Sequence, residues 1–487
     1  MTDHHHRMRS HKLLLRKPYG LRYAVIAGIA GAGCCGVQLP AAATASTTAM
    51  QAAAVGPVSP TPATGTPTLA PTGTTETVRQ LVKCGGTMYA VGQFTEIQRG
   101  STTYARNNIF SFSATSPFKV TSWSPNVNGE VNSIAFTGGN CADAYIGGQF
   151  TSVGGTTVAN LAEISTSTGK VVPGFGSHTG GGHVDTILAV KGHLLVGGTF
   201  TSVNGNKGAN PYYASLNPTT GKDDGFLHLG ISGHIVFPGV KANSTEVFNQ
   251  QLSHSSTLLL AEGDFTSVGG KNRRQIFMIN VSGSTAAITS WTSPEFDGSD
   301  PNGNLNPNDK YFNCGASHPF YIHAAAWSPG DSTVYIADTG VKPILWNGTF
   351  PLVGLCDAAA AFPATHTRVF SDWIAYDGCD SLYSVAADAS AVYVAGHNRW
   401  FNNQNACNAK SAGAIPAPGL AGLRPADGSL IPDSSGKAGL YSRSRGHGAD
   451  DMLLTSAGLW IASDDFGGGT QCGGVSGFAG ICFLPYA

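Results

Sequence analysis

Short apolar runs separated by glycine-rich turns follow one another along the chain from about residue 77 onward. One run recurs as YAVGQFTEI, YIGGQFTSVGG, LVGGTFTSVNG and LAEGDFTSVGG, and weaker copies follow as YIADTG, YVAGHN and WIASDD. The copies start at Tyr89, Tyr145, Leu195, Leu260, Tyr335, Tyr393 and Trp460. Their spacing of 50 to 75 residues predicts seven repeated units of about 62 residues.

Within a unit, the repeated run lies between two other apolar runs. In the second unit, VNSIAF (Val131–Phe136) precedes it and NLAEIS (Asn160–Ser165) follows it. Runs of this length with Gly-Gly turns are typical of antiparallel strands joined by hairpins, and no long helical period with caps follows residue 77. The sequence therefore predicts an all-β fold, a seven-bladed β-propeller of antiparallel three- to four-stranded blades. The last unit ends after its third run, so its outer strand is either absent or comes from the segment before Thr77.

The glycines and phenylalanines of the repeated run have a packing explanation. Gly147-Gly148 and Gly197-Gly198 fall in the middle of predicted strands, where glycine indicates close approach of another backbone. We expect the phenylalanine that follows to fill the space between adjacent blades. The alternative is a ring of aromatic side chains that stacks on a ligand. The four phenylalanines are Phe94, Phe150, Phe200 and Phe265.

The N-terminal region has the order of a secretory signal. Six basic residues and one acid occupy residues 1–22, an apolar stretch follows at Tyr23–Val37, and the small-residue segment PAAATAS comes next. We expect a signal peptide over residues 1–45, although a retained anchor and lipidation of Cys34 or Cys35 are alternatives. Residues 46–76 are rich in Thr, Ala and Pro, which predicts a disordered linker before a β-propeller over residues 77–487.

The charge balance excludes some partners. The full chain has a net charge of −1, and the chain after residue 45 has 22 Lys and Arg against 28 Asp and Glu. A nucleic-acid-binding protein needs a basic excess, so no nucleic-acid partner is expected. The apolar N-terminal stretch is shorter than the ~20 residues of a transmembrane helix, so no stable membrane span is expected. We expect a monomer that is secreted or attached to the cell surface.

The cysteines fit an exported protein. Eight follow the signal, an even number that suggests disulfide bonds rather than a metal cluster, because none has the CxxC spacing of a zinc site. Cys84 and Cys141 lie at equivalent places in neighbouring units, and Cys472 and Cys482 lie in one predicted hairpin. Proximity in the sequence suggests two further pairs, Cys314–Cys356 and Cys379–Cys407.

The repeat resembles a known family. The pattern GGxFTSVNG followed by LAxLNPTTG is similar to the delta-60-type repeat of bacterial exported β-propellers, and the closing stretch Arg443–Tyr486 resembles the last blade of secreted actinobacterial proteins built from such repeats. The resemblance is strong in the first four units and the last, and weak over residues 297–450. It implies a propeller and export. It implies no activity and no catalytic residues.

Three groups of residues are candidate sites. Oxygen-bearing side chains in the insert DGSDPNGNLNPND suggest calcium, although the spacing is not that of an EF-hand and a polar Asn/Pro turn explains them better; these are Asp297, Asp300, Asn302 and Asn304. His178, His183 and Asp185 could transfer a proton, and surface loop histidines are the alternative. A cluster leading into a predicted innermost strand could bind a carboxylate or a sugar, or could form an ion pair that closes the ring; its members are Arg443, Arg445, His447, Asp450 and Asp451.

Two functions follow from these features. The first is a non-enzymatic extracellular binding or scaffold propeller that presents loops to a cell-wall polymer, a glycan or a protein partner. The alternative is a secreted propeller hydrolase or lyase that acts on an extracellular carbohydrate. Carboxylates from different blades that converge at the channel mouth would favour the enzyme, whereas exposed aromatic residues without paired acids would favour binding. No catalytic residues and no cofactor other than calcium are predicted.

Overall fold

A computed structural model describes residues 56–176, 178–207, 210–235, 244–297, 321–340, 355–365, 367–406, 409–444, 448–466 and 471–486. These residues form an all-β structure, and the one helix among them is the four-residue turn Pro294–Asp297. No helix in this part of the chain is long and apolar enough to cross a bilayer. The predicted signal peptide and residues 46–55 of the predicted linker lie outside the described residues.

Seven sheets of three or four antiparallel strands account for most of the described residues, and we number them sheet 1 to sheet 7 along the chain. Their first strands are Thr77–Cys84, Glu130–Ala135, Val184–Val190, Glu246–Leu252, Tyr321–Trp327, Leu382–Ala387 and Asp451–Thr455. Their second strands are Thr87–Gln93, Asp143–Gln149, His193–Gly198, Leu258–Asp264, Thr333–Thr339, Val392–Gly396 and Gly458–Ala462. Their third strands are Ile109–Ser113, Leu161–Ser165, Tyr213–Leu216, Ile276–Asn280, Ala358–Pro363, Leu420–Leu423 and Ile481–Pro485.

The remaining strands are short. Fourth strands are Ala287–Ile288 in sheet 4 and Trp373–Tyr376 in sheet 5. Small ribbons lie outside the sheets, formed by Thr68–Leu69, Glu96–Arg99 and Thr102–Ala105; Ser152–Val153 and Thr156–Thr157; Thr179–Gly180, Ser202–Val203 and Asn206–Lys207; Ile231–Ser232, Ser267–Val268 and Lys271–Asn272; Trp400–Phe401 and Ile415–Pro416; and Gln471–Cys472 and Val475–Ser476. Each sheet is a meander in which the second strand pairs with the first and the third.

The sheets form a closed ring. Each first strand packs against the first strand of the next sheet, and the first strand of sheet 7 packs against that of sheet 1. Apolar clusters fill the space between every neighbouring pair of these sheets, including sheets 7 and 1. Radial antiparallel sheets whose first strands surround a common axis are the architecture of a β-propeller.

The repeated phenylalanines and glycines pack as predicted. Phe94, Phe150, Phe200 and Phe265 are each at most 1% exposed and belong to four of the apolar clusters between sheets. A Cβ atom on Gly147 would overlap the side chain of Val184 in the next sheet. Only glycine therefore allows sheets 2 and 3 to approach this closely. The packing interpretation is confirmed.

The segment before Thr77 closes the last sheet. The N–H of Ser59 donates to the carbonyl of Pro485 at 2.7 Å, and the N–H of Ala63 donates to that of Phe483 at 2.9 Å. Because both carbonyls belong to the third strand of sheet 7, the segment covers the open edge of that strand. Of the two possibilities for the last unit, the structure has the one in which the N-terminal segment supplies the outer edge.

Residues 56–76 differ from the predicted disordered linker. Val58 is 1% exposed, its N–H donates to the Tyr393 hydroxyl at 3.0 Å, and its carbonyl accepts from the Tyr441 hydroxyl at 2.8 Å. Leu69 is also 1% exposed and pairs with Ile97. Few apolar side chains suffice here because backbone hydrogen bonds to a strand edge contribute the rest.

Candidate functional site

A β-bulge near the start of the first strands creates the wall of the axial cavity. In sheets 1 to 6 the pairing with the second strand shifts by one residue at the same point, so one residue in each first strand is left unpaired. A bulge re-aims its extra side chain. The bulged residues line a cavity of about 590 Å³, together with the residue before the first strand of sheet 7; they are Arg79, Asn132, Asp185, Phe248, His323, Tyr383 and Asp450.

The wall has an aromatic half contributed by sheets 4 to 6. The ring of His323 lies 6.5 Å from that of Phe248, 4.9 Å from that of Tyr383 and 6.5 Å from that of Tyr321. The ring of His397 continues the series, 5.1 Å from Tyr383. We call Phe248, Tyr321, His323 and Tyr383 the aromatic arc. All four of these residues line the cavity.

The opposite half is polar and mostly acidic. It contains Arg79, Glu130, Asp185, Glu246 and Asp450, and we call these residues the acidic arc. Arg79 forms two ion pairs within it, Nε to Glu130 Oε1 at 2.8 Å and the guanidinium to Asp450 Oδ1 at 2.7 Å. Burial lowers the pKa of Arg79, but the attraction of Asp450 and Glu130 outweighs it and the net pKa is raised. These pairs join sheet 1 to both of its neighbours.

The acidic arc contains a second group around Asp185. Its Oδ1 accepts from Asn132 Nδ2 at 3.1 Å and lies 3.1 Å from His183 Nε2, whereas its Oδ2 is buried without a partner. Burial raises the pKa of Asp185, and the hydrogen bond from His183 opposes this. The same hydrogen bond raises the pKa of His183. Of the three residues suggested for proton transfer, His183 and Asp185 are thus in contact, while the backbone of His178 pairs with Asn204. Proton transfer by these residues stays a prediction.

Glu246 has the acid–base properties of a proton donor. Its side chain lines the same cavity, in sheet 4. Burial, followed by repulsion from Asp185 and Asp264, raises its pKa to about 7. A carboxyl whose pKa is raised toward neutrality by burial and by neighbouring carboxyl groups is a typical arrangement for general acid catalysis. Carboxylates from sheets 2, 3, 4 and 7 thus meet at one cavity.

Hydrogen bonds between sheets hold the wall in place, and Asp451 is one of the acceptors. Gln80 Oε1 accepts from the N–H of Ile134, and Ser133 Oγ accepts from the N–H of Ile187. Asp451 Oδ2 accepts from the N–H of Leu81 at 3.1 Å and so links sheet 7 to sheet 1. Each acceptor comes from one sheet and each donor from the next.

The predicted basic cluster is only partly at this cavity. Arg443 is 3% exposed, and its guanidinium donates to the Gly448 carbonyl at 2.5 Å and to the Ser463 hydroxyl. Burial lowers its pKa to about 10. Asp450 and Asp451 line the cavity and take part in ring closure, as the ion-pair alternative anticipated, but the cation that meets Asp450 there is Arg79. Arg445 and His447 lie outside the described residues.

The predicted calcium loop is represented by Asp297 alone. Its Oδ2 accepts from the Thr292 hydroxyl at 2.9 Å and its carbonyl accepts from Asn272 at 2.7 Å, at the end of the short helix. Asp297 is 3% exposed. Asp300, Asn302 and Asn304 lie outside the described residues. The calcium prediction for this loop stays a prediction.

Two predicted disulfides are present. Cys84 of sheet 1 is bonded to Cys141, which precedes the second strand of sheet 2, and Cys472 of the ribbon Gln471–Cys472 is bonded to Cys482 of sheet 7; the Cα atoms are 5.8 Å and 6.4 Å apart. Cys356 and Cys379 each take part in a disulfide as well. Their predicted partners, Cys314 and Cys407, lie outside the described residues.

The aromatic arc and the bulges were not predicted, although the sequence contains a signal for them. The first strands read VRQL, VNSI, VDTI, VFNQ, IHAA and LYSV at the bulge. In four of the six, apolar residues stand three positions apart, whereas a regular strand would place them two or four apart. The odd spacing marks the extra residue, and that residue is the one that lines the cavity.

The ring of sheets around an axial cavity places the protein in the β-propeller class. No protein family and no curated protein sequence matches the chain. Among solved structures, the chain is similar to the WD40 β-propeller domain of Doa1, at 9% identity and a TM-score of 0.36, over 86% of this chain and 96% of that one. It is also similar to Sqt1 from Saccharomyces cerevisiae, at 10% identity and a TM-score of 0.41, over 85% and 96% of the two chains.

A third similar structure is the β-propeller domain of Cps50 (Swd1) from Myceliophteria thermophila. The identity is 10% and the TM-score 0.36, over 65% of this chain and 79% of that one. At identities this low, the function of a structural neighbour does not transfer. The site of this chain has to be interpreted from its own residues.

Proposed function

We propose that this protein is an extracellular, seven-bladed β-propeller of the delta-60-repeat type that binds a glycan or cell-wall polymer in its axial cavity. The observation that carries the proposal is the two-sided wall of that cavity, with an aromatic arc facing an acidic arc. The disulfides across and within sheets fit an oxidising compartment, as does the signal-like N-terminal sequence. The protein acts as a monomer.

The wall suits a sugar ring in both chemistry and size. The C–H face of a sugar packs on aromatic rings, and its hydroxyl groups donate to carboxylates. The aromatic arc provides the first, and Glu130, Asp185 and Glu246 provide the second. A volume of about 590 Å³ lies within the ~300–1,000 Å³ typical of ligand pockets.

A glycan array probed with the purified protein tests this function. We expect Tyr383→Ala to weaken binding of the selected glycan at least tenfold, because it removes one aromatic ring of the aromatic arc, whereas Phe370→Ala should leave binding unchanged. Phe370 is a matched control because it is 45% exposed and lies away from the axial cavity. Equal binding by both variants would contradict the proposal and would favour a protein partner that docks on the loops.

The enzymatic alternative is favoured by one observation, the pair of carboxyl groups of Glu246 and Asp185, which line the same cavity from different sheets. Such a pair is the minimum needed for glycoside hydrolysis. Mass spectrometry of the selected glycan after incubation distinguishes the two functions. Released fragments whose formation stops in Glu246→Gln, with binding retained, would establish a hydrolase or lyase. Binding without fragments supports the binding function.

A further inference from the structure

The acids of the axial cavity outnumber its cations. Arg79 is the one Lys or Arg among the described residues that line the cavity, and its guanidinium already pairs with Glu130 and Asp450. The described wall therefore has no second Lys or Arg that could receive a carboxylate, sulfate or phosphate group of a ligand. The acids of the wall come from sheets 2, 3, 4 and 7, and they are Glu130, Asp185, Glu246, Asp264, Asp450 and Asp451.

Glu246 is the acid of this wall that the fold leaves to the cavity. It is half-buried, and no described residue donates a hydrogen bond to its side chain. Burial raises its pKa, repulsion from Asp185 and Asp264 raises it further, and His183 opposes this to a smaller extent. A cation bound beside Glu246 would relieve the repulsion and favour the carboxylate.

A ligand that fills the cavity removes water from these acids. A neutral ligand replaces that water with hydrogen bonds but supplies no charge, so Glu246 and Asp185 would still repel each other. A protonated amine supplies both the hydrogen bonds and the charge. Because an uncompensated charge is costly once it is out of water, the wall favours a cationic ligand over a neutral one.

The aromatic arc begins directly beside Glu246. Phe248 lies two residues further along the same strand, and Tyr321 has the register position of Glu246 in the next sheet. The first strands of sheets 4 and 5 pack against each other. Aromatic rings attract an ammonium group through their negative faces. An acid beside aromatic rings is therefore a suitable place for a positively charged group.

We propose that the axial cavity selects a glycan with free amino groups, of the glucosamine type, and binds its protonated amine where the acidic arc meets the aromatic arc. The inference rests on the proposed function, because it names the sugar for the same cavity. The amine donates to Glu246 and Asp185, while the sugar contacts the aromatic arc. Acetylation of the amine removes the charge, and an acidic sugar is repelled.

Three β-1,4-linked tetrasaccharides that differ only at carbon 2 test the proposal. They are the tetramers of glucosamine, N-acetylglucosamine and glucose. In isothermal titration calorimetry of the full chain at about pH 6, where the amine carries a proton, the glucosamine tetramer should bind at least tenfold more tightly than the other two. Sodium chloride at about 0.5 M should weaken binding of the glucosamine tetramer alone, because salt screens the charges.

Glu246→Gln removes the charge with little change of shape. Its affinity for the glucosamine tetramer should fall to that for the glucose tetramer, which should itself stay unchanged. Binding is then weakened but not lost, because the aromatic arc remains. The matched control is Glu96→Gln, which should keep the preference for the amine. Glu96 is exposed and does not line the cavity.

Several results would overturn the proposal. Equal affinity for the three tetrasaccharides, tighter binding of the N-acetylated one, or no binding of any of them would do so. A preference for the amine that Glu246→Gln leaves intact would also do so. Tighter binding of tetralysine than of the glucosamine tetramer would assign the cavity to a protein amine instead of a sugar. If a neutral or acidic glycan binds and Tyr383→Ala weakens it, this inference fails while the proposed function stands.

Discussion

Glu262 is a carboxyl group buried without a partner, and its removal should stabilise the protein. It is 0% exposed, and neither of its carboxylate oxygens accepts a hydrogen bond. The equivalent strand positions of sheets 5, 6 and 7 are Ala337, Ala395 and Ala462. Burial raises the pKa of Glu262 to about 8. The folded protein therefore holds this group mostly protonated at neutral pH.

The size of the effect follows from the pKa difference. An unfolded chain has a Glu pKa of 4.5, and the folded value is about 8. Each unit of difference corresponds to about 1.36 kcal/mol. Because the folded pKa is raised, the protonated form is favoured by folding, so stability is highest below pH 4.5 and falls as the pH rises toward 8. The loss is about 3 kcal/mol at pH 7 and approaches about 5 kcal/mol above pH 8.

Urea unfolding of Glu262→Gln at a series of pH values measures this loss. The amide has the shape of the protonated acid and cannot ionise, so the variant should match the unmodified chain at pH 4.5 and exceed its unfolding free energy by about 3 kcal/mol at pH 7. The exposed residue Glu96 provides the control, since Glu96→Gln should shift neither curve. A constant difference between Glu262→Gln and the unmodified chain from pH 5 to pH 8 would refute the reasoning.

Three further changes probe ring closure. A chain that starts at Gly65 should unfold at a lower temperature than one that starts at Gly56. It loses about 3 kcal/mol of unfolding free energy, because the contacts of Val58 and the hydrogen bonds to sheet 7 are removed. Equal melting curves would contradict this. Replacement of Cys84 and Cys141 by Ser should lower the unfolding free energy in urea by about 4 kcal/mol, because their disulfide spans 57 residues. A smaller loss than that caused by replacing Cys472 and Cys482, whose disulfide spans 10 residues, would contradict this. Arg79→Gln should cost about 1 kcal/mol, less at high salt, since its side chain is 33% exposed, and a salt-independent loss would argue against an electrostatic cause.

The architecture could be predicted because the same physical demand recurs. In sheets 1 to 4 a phenylalanine packs against the neighbouring sheet and a glycine stands where strands approach closely, so the same sequence pattern recurs in four units. Phe94, Phe150, Phe200 and Phe265 confirm this. Repetition distinguishes a structural requirement from chance, and one copy of the pattern would not have been enough.

The sequence analysis wrongly predicted disorder for residues 56–76, because an argument from composition considers only the side chains. A segment with few apolar residues cannot form its own core, and that argument holds for an isolated chain. Residues 56–76 instead meet a strand edge that is open because the last sheet ends at its third strand. The free backbone groups of Ile481–Pro485 are the missing partner. Their availability depends on ring closure, which no local property of the segment reveals.

The candidate site escaped prediction because it is built from residues that differ between repeats. Phe248, His323 and Tyr383 share a position but not a residue type, and the shift in strand register that turns them inward spans a single residue. Their convergence depends on seven strands meeting at one axis. An irregular spacing of one residue in a single strand would not indicate a bulge. Only its recurrence in six strands gives it meaning.

An acid at a repeated position can keep the role of that position or depart from it. Asp451 keeps the acceptor role that Gln80 and Ser133 have at the same position, whereas Asp338 replaces the glycine of five other sheets. The free oxygen of Asp338 has no partner, whereas Asp451 accepts from the backbone of Leu81 and so completes the ring. The atoms that each carboxylate meets therefore distinguish a contact that closes the ring from a buried acid without a partner. Burial raises the pKa of both acids, and the backbone N–H of Leu81 opposes this at Asp451.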